Sequence, residues 1–586
     1  MSTELRPAWV VKLEETYLAG GSNMFILHGN VDDLVPGEES GKTVFEPLTD
    51  YLTRRTFGSY DLVLHYDLGR GLRVYSGGDA QRLTRMSSLL DRLLGGHPEL
   101  PSEPGQAFRV IDRLISLLLV DEKSAAQKVA VLFDYADFIC PADDRPSPYL
   151  ATFLNWARSP IIRRVNLAFV LMTESLARLH GTLVQNGYTE EITVSLASLS
   201  ERQAFIVQRY PGLSADAERL ATMSAGLTLV NLDTMLRLAT RPQAAGREKE
   251  EAVKAEPEVQ RIAAVSDARL TEIKKGLMEA QCPGLIEFVE PKFDFSMVAG
   301  HKAAKERLTN DAQLMKEGKL DSVPMGYLIC GPVGVGKTFM ALCYAGSIGI
   351  PCITIRNFRS KYVGETESNI ERILSVVREL GPVAVIVDEA DAALGNRSAD
   401  GDSGTSSRVF AQIASQMGNT QYRGKIIWFL LTCRPDLLPI DLKRQGRCEE
   451  HIPLFYPETL EDRVEMFLAM GKKLKLPLDK SALPDLSKIP SLSGADIESV
   501  LTRVRRESML QKRTVDAALI DEVLKNFRSL RSEAHELQWL AAILESSDLR
   551  YLPEKVRVEI EKPGAYEALA RKLRELQALE GGAFAR

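Results

Sequence analysis

The sequence predicts an α/β fold in which two modules each contain a mainly parallel β-sheet, followed by a helical C-terminal tail. In both halves of the 586-residue chain, short apolar strands alternate with helical patterns, as in sheets whose parallel strands are joined by helices. A segment rich in charge, alanine and proline, residues 241–262, separates the halves and has the composition of a linker. Hydrophobic residues make up 45% and charged residues 26%, which is typical of globular proteins and excludes a wholly disordered chain.

Eight strands are predicted from runs of four to six apolar residues, since both faces of a parallel sheet are covered. In the first half they are Met24–His28, Leu62–Tyr66, Val129–Phe133 and Leu167–Met172. In the second half they are Gly326–Cys330, Cys352–Ile355, Val383–Val387 and Ile426–Leu431. The two sets occur in a similar order, which indicates that the halves are built alike.

Charge and cysteine usage restrict the class of protein. Lys and Arg total 73 and Asp and Glu total 79, so the net charge of −6 argues against a general nucleic-acid-coating protein. The seven cysteines are scattered and form no Cys-x-x-Cys pair, which fits a reducing compartment. The first 16 residues carry charge throughout, and no run approaches the roughly 20 apolar residues of a membrane span. We therefore expect a soluble, cytoplasmic protein without a membrane segment.

A phosphate-binding motif, GxxxxGK[ST], lies in the second half of the chain. It follows the strand Gly326–Cys330 and precedes a helical stretch, which is the context that this motif requires. Glycines in such a loop let backbone amides surround phosphate oxygens at a helix N-terminus. Lys337 is predicted to reach the β and γ phosphates of a nucleotide, and the Thr338 hydroxyl to bind Mg²⁺. The matching residues are Gly331, Pro332, Val333, Gly334, Val335, Gly336, Lys337 and Thr338.

Two carboxylates follow the strand Val383–Val387, 51 residues after Lys337. Open α/β sheets bind ligands at the carboxyl ends of their strands, so these side chains are predicted to lie beside the phosphate loop. Asp388 is predicted to hold Mg²⁺ through water. Glu389 is predicted to orient and polarise the attacking water, because phosphoryl transfer depends mainly on positioning and charge.

Taken together, the motifs of the second half resemble those of the AAA+ ATPases, and more narrowly the AAA branch of hexameric protein remodellers. The resemblance covers about residues 293–525 and implies a homo-hexameric ring that hydrolyses ATP with Mg²⁺ and remodels a protein substrate. It rests on FDFSMVAG at 293–300, the phosphate loop, KYVGETE at 361–367, VIVDEAD at 385–391, TCRPDLLPIDLKRQGR at 432–447 and SGADI at 493–497.

The resemblance also assigns roles to residues outside the phosphate loop. Arg444 and Arg447 fall at the arginine-finger positions, which in the family act on ATP bound by the neighbouring subunit. Cys433 stands at the first sensor position, where an Asn that orients the attacking water is usual. Because a thiol is a weak hydrogen-bond donor and acceptor, this departure predicts slow turnover or the use of another group.

Further positions are carried over from the same motifs. Ala299 and Gly300 end the motif that precedes the phosphate loop and are predicted to contact the nucleotide, as is Ala495 at the start of the lid helix. Ala495 stands where some AAA+ branches carry an Arg. A pore loop that grips an extended polypeptide through its aromatic residue is predicted at Lys361, Tyr362 and Val363.

The first half is predicted to be a degenerate copy of the second. Val129–Asp137 parallels Val383–Asp391, but Tyr135 occupies the position of the catalytic glutamate. Gln185 and Tyr188 occupy the two finger positions. We therefore predict a first AAA+-like module that does not hydrolyse ATP.

One partial motif in the first half, Gly41-Lys42-Thr43, is predicted to be a turn. The residue at the leading glycine position of the full motif is Pro36, and a polar stretch separates it from the strand Met24–His28. A phosphate loop begins where its strand ends, which this segment does not.

The predicted domain boundaries are a degenerate AAA+-like module at 1–240, the linker at 241–262, a large ATPase domain at 263–456, a helical lid at 457–530 and a helical tail at 531–586. Two alternative functions remain open from the sequence. One is a nucleic-acid-directed AAA+ ATPase, such as a loader or defence factor, although the net charge and the pore-loop motif make a nucleic-acid partner unexpected. The other is a slow nucleotide switch or scaffold, which Cys433 favours.

Overall fold

The computed structural model of the chain describes residues 6–39, 41–96, 99–120, 126–142, 147–239, 267–356, 358, 365–394, 405–476, 478–489, 492–529 and 533–583. The fold is mixed α/β and contains two six-stranded sheets and one two-stranded sheet. The chain divides into two compact units. The first unit comprises Met1–Gln281 and Arg359–Arg372, and the second comprises Cys282–Phe358 and Ile373–Arg586.

The sheet of the first unit has the strand order β5-β4-β6-β7-β1-β8. Its strands are β1 (Met24–Gly29), β4 (Leu62–Asp67), β5 (Gly71–Val74), β6 (Val129–Phe133), β7 (Leu167–Thr173) and β8 (Thr189–Val194). All neighbours pair in parallel except β4 and β5, which form an antiparallel edge. Every residue of β6 and β7 is buried, which explains their continuous apolar sequences.

The remaining strands of the first unit form a hairpin that no pattern in the sequence analysis predicted. Strand β2 (Leu34–Glu39) pairs in an antiparallel arrangement with β3 (Lys42–Pro47). Gly41 lies at the turn with φ +77°, a conformation that favours glycine. Lys42 is the first residue of β3, so the partial motif Gly41-Lys42-Thr43 is part of a hairpin and not of a strand–loop–helix unit.

Helices cover the sheet of the first unit and form a separate helical group after β8. Up to residue 281 they are Ala8–Leu18, Leu48–Tyr51, Ala80–Leu94, Pro104–Val120, Ala136–Ile139, Pro148–Arg158, Gly181–Val184, Leu199–Arg209, Ala217–Met223, Leu229–Ala239 and Asp267–Gln281. The helix Asp267–Gln281 packs on Leu229–Ala239 through buried residues that include Leu270 and Met278. It therefore groups with the first unit, whereas the sequence places the start of the second module at residue 263.

The sheet of the second unit has the order β14-β10-β13-β12-β11-β9. Its strands are β9 (Ile286–Val289), β10 (Gly326–Cys330), β11 (Cys352–Ile355), β12 (Val383–Val387), β13 (Ile426–Thr432) and β14 (Glu450–Pro453). Its neighbours pair in parallel except β9 and β11, which again form an antiparallel edge. The eight predicted strands are thus confirmed, each to within one residue at either end.

From residue 302 onward, helices flank the second sheet, form the lid and make up the tail. They are Lys302–Lys316, Lys337–Ile348, Glu365–Glu379, Ala390–Leu394, Thr405–Met417, Ile440–Lys443, Leu460–Lys473, Gly494–Gln511, Ala517–Lys525, Glu533–Glu545, Glu554–Ile560 and Ala565–Ala583. The lid has its own buried core, in which Phe467, Val500 and Ile520 take part. Ser493 caps the helix Gly494–Gln511 by accepting the amide of Asp496, and the Asp496 carboxylate accepts the Ser493 amide in return.

The five parallel strands of the two sheets have the same order and connectivity, since β4-β6-β7-β1-β8 corresponds to β11-β12-β13-β10-β14. The antiparallel edge strands differ, because β5 follows β4 directly in the chain whereas β9 precedes β10. The correspondence extends to single residues: His28 pairs with Thr173 at the ends of β1 and β7, and Cys330 pairs with Thr432 at the ends of β10 and β13. The two units are therefore copies of one architecture.

Candidate functional site

The phosphate loop (Gly331 to Thr338) connects β10 to the helix Lys337–Ile348. Gly331 has φ +137°, and a Cβ there would overlap the carbonyl oxygen of Leu454 on the neighbouring strand segment. Gly336 has φ +91° and precedes the first helical residue. Glycine is required at both positions, because side chains would clash or strain the backbone. The loop thus places backbone amides at the start of a helix, where anions bind.

The Lys337 ammonium lies over this loop. Its Nζ donates to the carbonyl oxygens of Gly331 at 2.9 Å and Pro332 at 3.0 Å, and it contacts the Cys433 sulfur at 3.1 Å. Cys433 comes directly after β13, so the contact joins the phosphate loop to the end of the adjacent strand. The first-sensor position is therefore next to the predicted phosphate-binding lysine.

Two oxygen ligands suited to Mg²⁺ meet where the helix Lys337–Ile348 begins and where β12 ends. The Thr338 hydroxyl donates to a carboxylate oxygen of Asp388 across 2.9 Å. The other Asp388 oxygen accepts the Glu389 amide at 2.9 Å. Hard hydroxyl and carboxylate oxygens are what Mg²⁺ binds, usually together with water and substrate phosphates. Thr338 and Asp388 therefore fit the ion, which would neutralise phosphate charge when bound.

Glu389 has an unusual backbone conformation. Its φ of +49° lies in the left-handed region, where residues other than glycine are uncommon. Asp391, two residues later, fixes this turn, because its carboxylate accepts the Thr432 hydroxyl at 2.6 Å. The Thr432 hydroxyl oxygen in turn accepts the Arg434 backbone amide at 2.8 Å. The exposed carboxylate of Glu389 is thus held on a turn that two strand ends determine.

These side chains line a cleft of about 440 Å³ between the sheet and the lid of the second unit. The residues of the predicted site that line it are Ala299, Val333, Gly334, Val335, Gly336, Lys337, Thr338, Asp388, Glu389, Cys433 and Ala495. Gly331 and Pro332 instead support Lys337 through their carbonyl groups. Gly300, with φ +65°, lies at a neighbouring cavity and donates its amide to the Glu465 carboxylate at 3.2 Å.

Sequence reasoning missed the lid side of the cleft. One face of the helix Leu460–Lys473 lines the cleft, through residues spaced three and four apart. They are Met466, Ala469, Met470 and Lys473. That spacing identifies one helix face, but it does not tell whether the face covers a core or a ligand. Methionine packs well against flat groups because its side chain is flexible and polarisable.

His301 is a second residue that the sequence did not single out. It lines the cleft, has φ +50°, and directly precedes the helix Lys302–Lys316. Withdrawal of its ring from water lowers the pKa of His301 to about 4, although the Asp462 carboxylate opposes this shift. The ring is therefore neutral at pH 7 and places a polar but uncharged group at the wall of the cleft.

The finger residues lie away from the cleft of their own unit. Among the residues that the structure describes, neither Arg444 nor Arg447 is part of the cleft lining. The Arg444 side chain is 61% exposed and pairs with Asp441 at 3.1 Å, whereas the Arg447 side chain is 16% exposed and donates to the Asp441 carbonyl. Burial and the nearby Arg444 lower the pKa of Arg447. Of the two, Arg444 is the one free to extend toward another molecule.

Three predicted site residues, Lys361, Tyr362 and Val363, lie outside the described residues, as does the linker at 241–262. Among the helices that the structure describes, none has the length and apolar character needed to cross a bilayer.

The equivalent position in the first unit has a different structure. Gly29, the last residue of β1, takes the place of Gly331, but the chain then enters the strand β2, so Val35 and Pro36 stand where Lys337 and Thr338 would be. A phosphate loop of the usual form is therefore replaced by the segment 30–36.

A carboxylate occupies this replaced loop. Asp33 accepts the backbone amides of Leu229 at 2.8 Å and Val230 at 3.2 Å, at the start of the helix Leu229–Ala239. Asn30 donates to the same carboxylate at 2.9 Å. The amides of a helix start that would attract an anion are thus satisfied by the protein itself.

The first unit nevertheless keeps the backbone of the second. Tyr135, at the position of Glu389, has φ +52°, close to the value of Glu389. Asp137, two residues after Tyr135, and Thr173 at the end of β7 occupy the positions of Asp391 and Thr432. The turn has survived without the carboxylate, which shows that the conformation belongs to the architecture and not only to the catalytic residue.

Comparison with known families identifies both units. Residues 2–195 match the model described as an AAA+ chaperone, N-terminal Rossmann-like domain. Residues 327–456 match the model of the ATPase family associated with various cellular activities.

Several individual relatives match part of the chain. The chain is 31% identical over 179 residues to the Cell division cycle protein 48 homolog of Archaeoglobus fulgidus (30% of this chain, 24% of the relative). It is 30% identical over 216 residues to the ATP-dependent zinc metalloprotease FtsH 2 of Salinibacter ruber (35% and 32%). It is 28% identical over 273 residues to the Peroxisomal ATPase PEX6 of Yarrowia lipolytica (44% and 26%). The matches span between about a quarter and a third of each relative.

Fold, motif geometry and family matches agree. The first unit has the N-terminal domain of AAA+ chaperones, and the second has the ATPase domain with its nucleotide motifs in one cleft. The chain therefore contains an AAA+ chaperone N-terminal domain, in which the segment 30–36 replaces the phosphate loop, and a domain of the AAA ATPase family that carries the nucleotide motifs.

Proposed function

We propose that ATP hydrolysis in the second unit drives the remodelling, unfolding or disassembly of a protein substrate by a homo-hexameric ring. The observation that carries the ATPase part is the convergence of Lys337, Thr338, Asp388 and Glu389 on one cleft. The protein-directed part is supported by the description of the first unit's family as an AAA+ chaperone. One of the relatives is likewise named as an ATP-dependent protease.

Within the cleft, each group has one proposed task. Lys337 binds the β and γ phosphates, and Thr338 and Asp388 hold Mg²⁺. Glu389 orients the attacking water and receives its proton, since a carboxylate at the strand edge can polarise a water beside the γ phosphate. Methionines of the lid and the neutral His301 enclose the rest of the nucleotide.

A ring is supported by the place of the finger residues. Arg444 is exposed and lies outside its own cleft, so it can act only on ATP bound by another copy. A planar guanidinium at the γ phosphate stabilises the charge of the transition state.

The phosphate-loop assignment is tested by a matched pair of lysine variants. Lys337→Ala removes the only ammonium of the GxxxxGK[ST] motif, and we expect ATP affinity to fall by about 10- to 100-fold, as for a lost charge-assisted contact. Lys42→Ala changes the lysine of the hairpin, and we expect no change in affinity. Equilibrium binding of a fluorescent ATP analogue measures both. Equal affinity in Lys337→Ala and the wild type would reject the assignment, and a loss in Lys42→Ala would place a site in the first unit.

Protein remodelling is tested at the predicted pore loop. Tyr362→Ala is expected to keep basal ATP turnover near that of the wild type and to lose stimulation by a reduced, carboxymethylated and permanently unfolded protein. Tyr362→Phe is expected to keep both, because the ring face makes the contact. If Tyr362→Ala instead lowers the melting temperature and basal turnover together, Tyr362 is a packing residue and the pore-loop proposal is wrong.

A slow nucleotide switch is the second candidate function, and Cys433 is the observation that favours it. Its sulfur contacts Lys337 at 3.1 Å and takes the place of an amide that would orient water. We expect Cys433→Asn to raise turnover by about 2- to 10-fold, the contribution of one hydrogen bond to the barrier. Cys433→Ala, which adds no amide, is the control and is expected to show no rise. Turnover in Cys433→Asn that is no faster than in the wild type would mean that Cys433 does not limit the rate.

A further inference from the structure

The first tail helix (Glu533–Glu545) contacts the phosphate loop. The Gln538 amide oxygen accepts the backbone amide of Val333 at 3.3 Å. The backbone carbonyl of Val333 accepts the Tyr456 hydroxyl at 2.9 Å. The Tyr456 ring in turn stacks on His535, with the ring centroids 4.8 Å apart. Both polar groups of the Val333 backbone are thus held by the tail helix or by a side chain stacked on it.

The C-terminal end of the same helix contacts the segment that leads into the finger residues. Glu545 pairs with Lys443 at 2.7 Å, and both side chains are only 15% exposed. Its other oxygen pairs with His451 at 3.0 Å. Lys443 is the residue before Arg444 and also donates to the Pro435 carbonyl at 3.0 Å. If the Glu545 charge is removed, the buried Lys443 ammonium is left without a compensating charge. We therefore expect Lys443 to leave this position.

The tail helix is fixed between these two contacts. Ala542 and Ile543 pack with Cys330, the last residue of β10, and with Phe455 after β14. Glu545 lies seven positions after Gln538, which corresponds to a rise of about 10 Å along an α-helix. Gln577, in a further tail helix (Ala565–Ala583), donates a hydrogen bond to the Asp436 carboxylate at 2.8 Å. Asp436 also forms an ion pair with Arg434. The tail therefore touches the phosphate loop, the segment after Cys433 and the segment before Arg444.

We propose that the tail helix sets the position of the finger segment relative to the phosphate loop, with Glu545 as the positioning residue for Arg444. This inference rests on the proposed ring, because Arg444 acts on the neighbour's ATP. Glu545 does not touch the nucleotide. It binds Lys443 through the ion pair, and the position of Lys443 determines the position of the adjoining Arg444. A displacement of about 1 Å in a positioned group can cost up to ~100-fold in rate, so a small shift of this segment has a large kinetic effect.

The first test separates the effect on kcat from that on KM. Glu545→Gln keeps the shape of the side chain and removes its charge. We expect kcat to fall by about tenfold or more, with KM for ATP within about twofold of the wild type, because the variant's own phosphate loop is unchanged. Glu536→Gln is the matched control: it lies on the same helix, and its ion pair with Lys572 is half exposed and internal to the tail. We expect the control to behave as the wild type.

The second test asks in which subunit the defect acts. Glu545→Gln is mixed with an excess of Glu389→Gln, which supplies intact finger segments but no turnover of its own. If Glu545 acts through Arg444, turnover per Glu545→Gln chain rises on mixing, as it does when Arg444→Ala is mixed in the same way. Lys443→Gln breaks the same ion pair from the other side and is expected to be rescued too, which keeps the test valid if Glu545→Gln folds poorly.

The outcomes distinguish this inference from the ring itself. Rescue of Arg444→Ala without rescue of either ion-pair variant overturns the positioning role and leaves the ring intact. Failure to rescue Arg444→Ala means that the finger does not act between subunits, and both proposals fall. A raised KM with unchanged kcat in Glu545→Gln would place the effect in the variant's own site and also overturn the inference.

Discussion

Glu389→Gln is expected to bind ATP as tightly as the wild type and to lose turnover by about 10²- to 10⁴-fold, the usual contribution of a positioned general base. The change is close to isosteric and removes only the negative charge that polarises water. Binding is expected to persist because Lys337, Thr338 and Asp388 are untouched. The left-handed backbone at Glu389 is shared with Tyr135, so a Gln side chain is compatible with this turn.

Two assays measure this expectation, one for single-turnover hydrolysis and one for equilibrium binding. Glu522→Gln, on the exposed surface of the lid, is the matched control and is expected to leave both unchanged. Retained turnover in Glu389→Gln would show that another group activates the water. Lost binding would show that Glu389 contributes to holding the nucleotide.

Arg444→Ala is expected to produce the second large effect, a fall in turnover of about 10³-fold or more, the scale of a trans-acting arginine in phosphoryl transfer. ATP affinity is expected to change little, since Arg444 lies outside its own cleft. Arg447→Ala is expected to lower turnover less, because Arg447 is mostly buried and donates to the Asp441 carbonyl, which supports the segment that carries Arg444.

Concentration dependence supplies the test of this mechanism. Wild-type specific activity is expected to rise with protein concentration as rings form, and Arg444→Ala is expected to stay low throughout. Arg506→Ala, an exposed arginine of the lid helix, is the control and is expected to follow the wild type. A dilute and demonstrably monomeric sample that hydrolyses ATP at the full rate would contradict the role of Arg444 between subunits.

The central strands of both sheets were predictable, because strands covered on both faces are continuous apolar runs. The edge strands were not, since one side of each is open and charged residues interrupt their apolar sequences. Thr189–Val194 contains two glutamates, and Glu450–Pro453 begins with a charged residue and a histidine. Periodicity cannot separate such segments from loops. Of the hairpin Leu34–Pro47, the sequence likewise predicts only the turn at Gly41 and not its two strands.

The phosphate side of the site was predictable, because glycines, Lys337 and the carboxylates are tied to chemistry at fixed local spacing. The lid side was not: Met466 and Met470 are ordinary apolar helix residues until the fold brings them to the cleft. Asp33 shows the same limit in the first unit. Its partner amides, at Leu229 and Val230, are nearly 200 residues away in the chain, and no local motif connects them.

Each chain is expected to have one working ATP site, which lies in the second unit. The most direct measurement is the stoichiometry of ATP bound by Glu389→Gln, which holds the nucleotide without consuming it. We expect one ATP per chain, bound about 10- to 100-fold more weakly when Lys337→Ala is added. Two ATP molecules per chain, or one whose affinity is unchanged by Lys337→Ala, would place a functional site in the first unit and contradict the account.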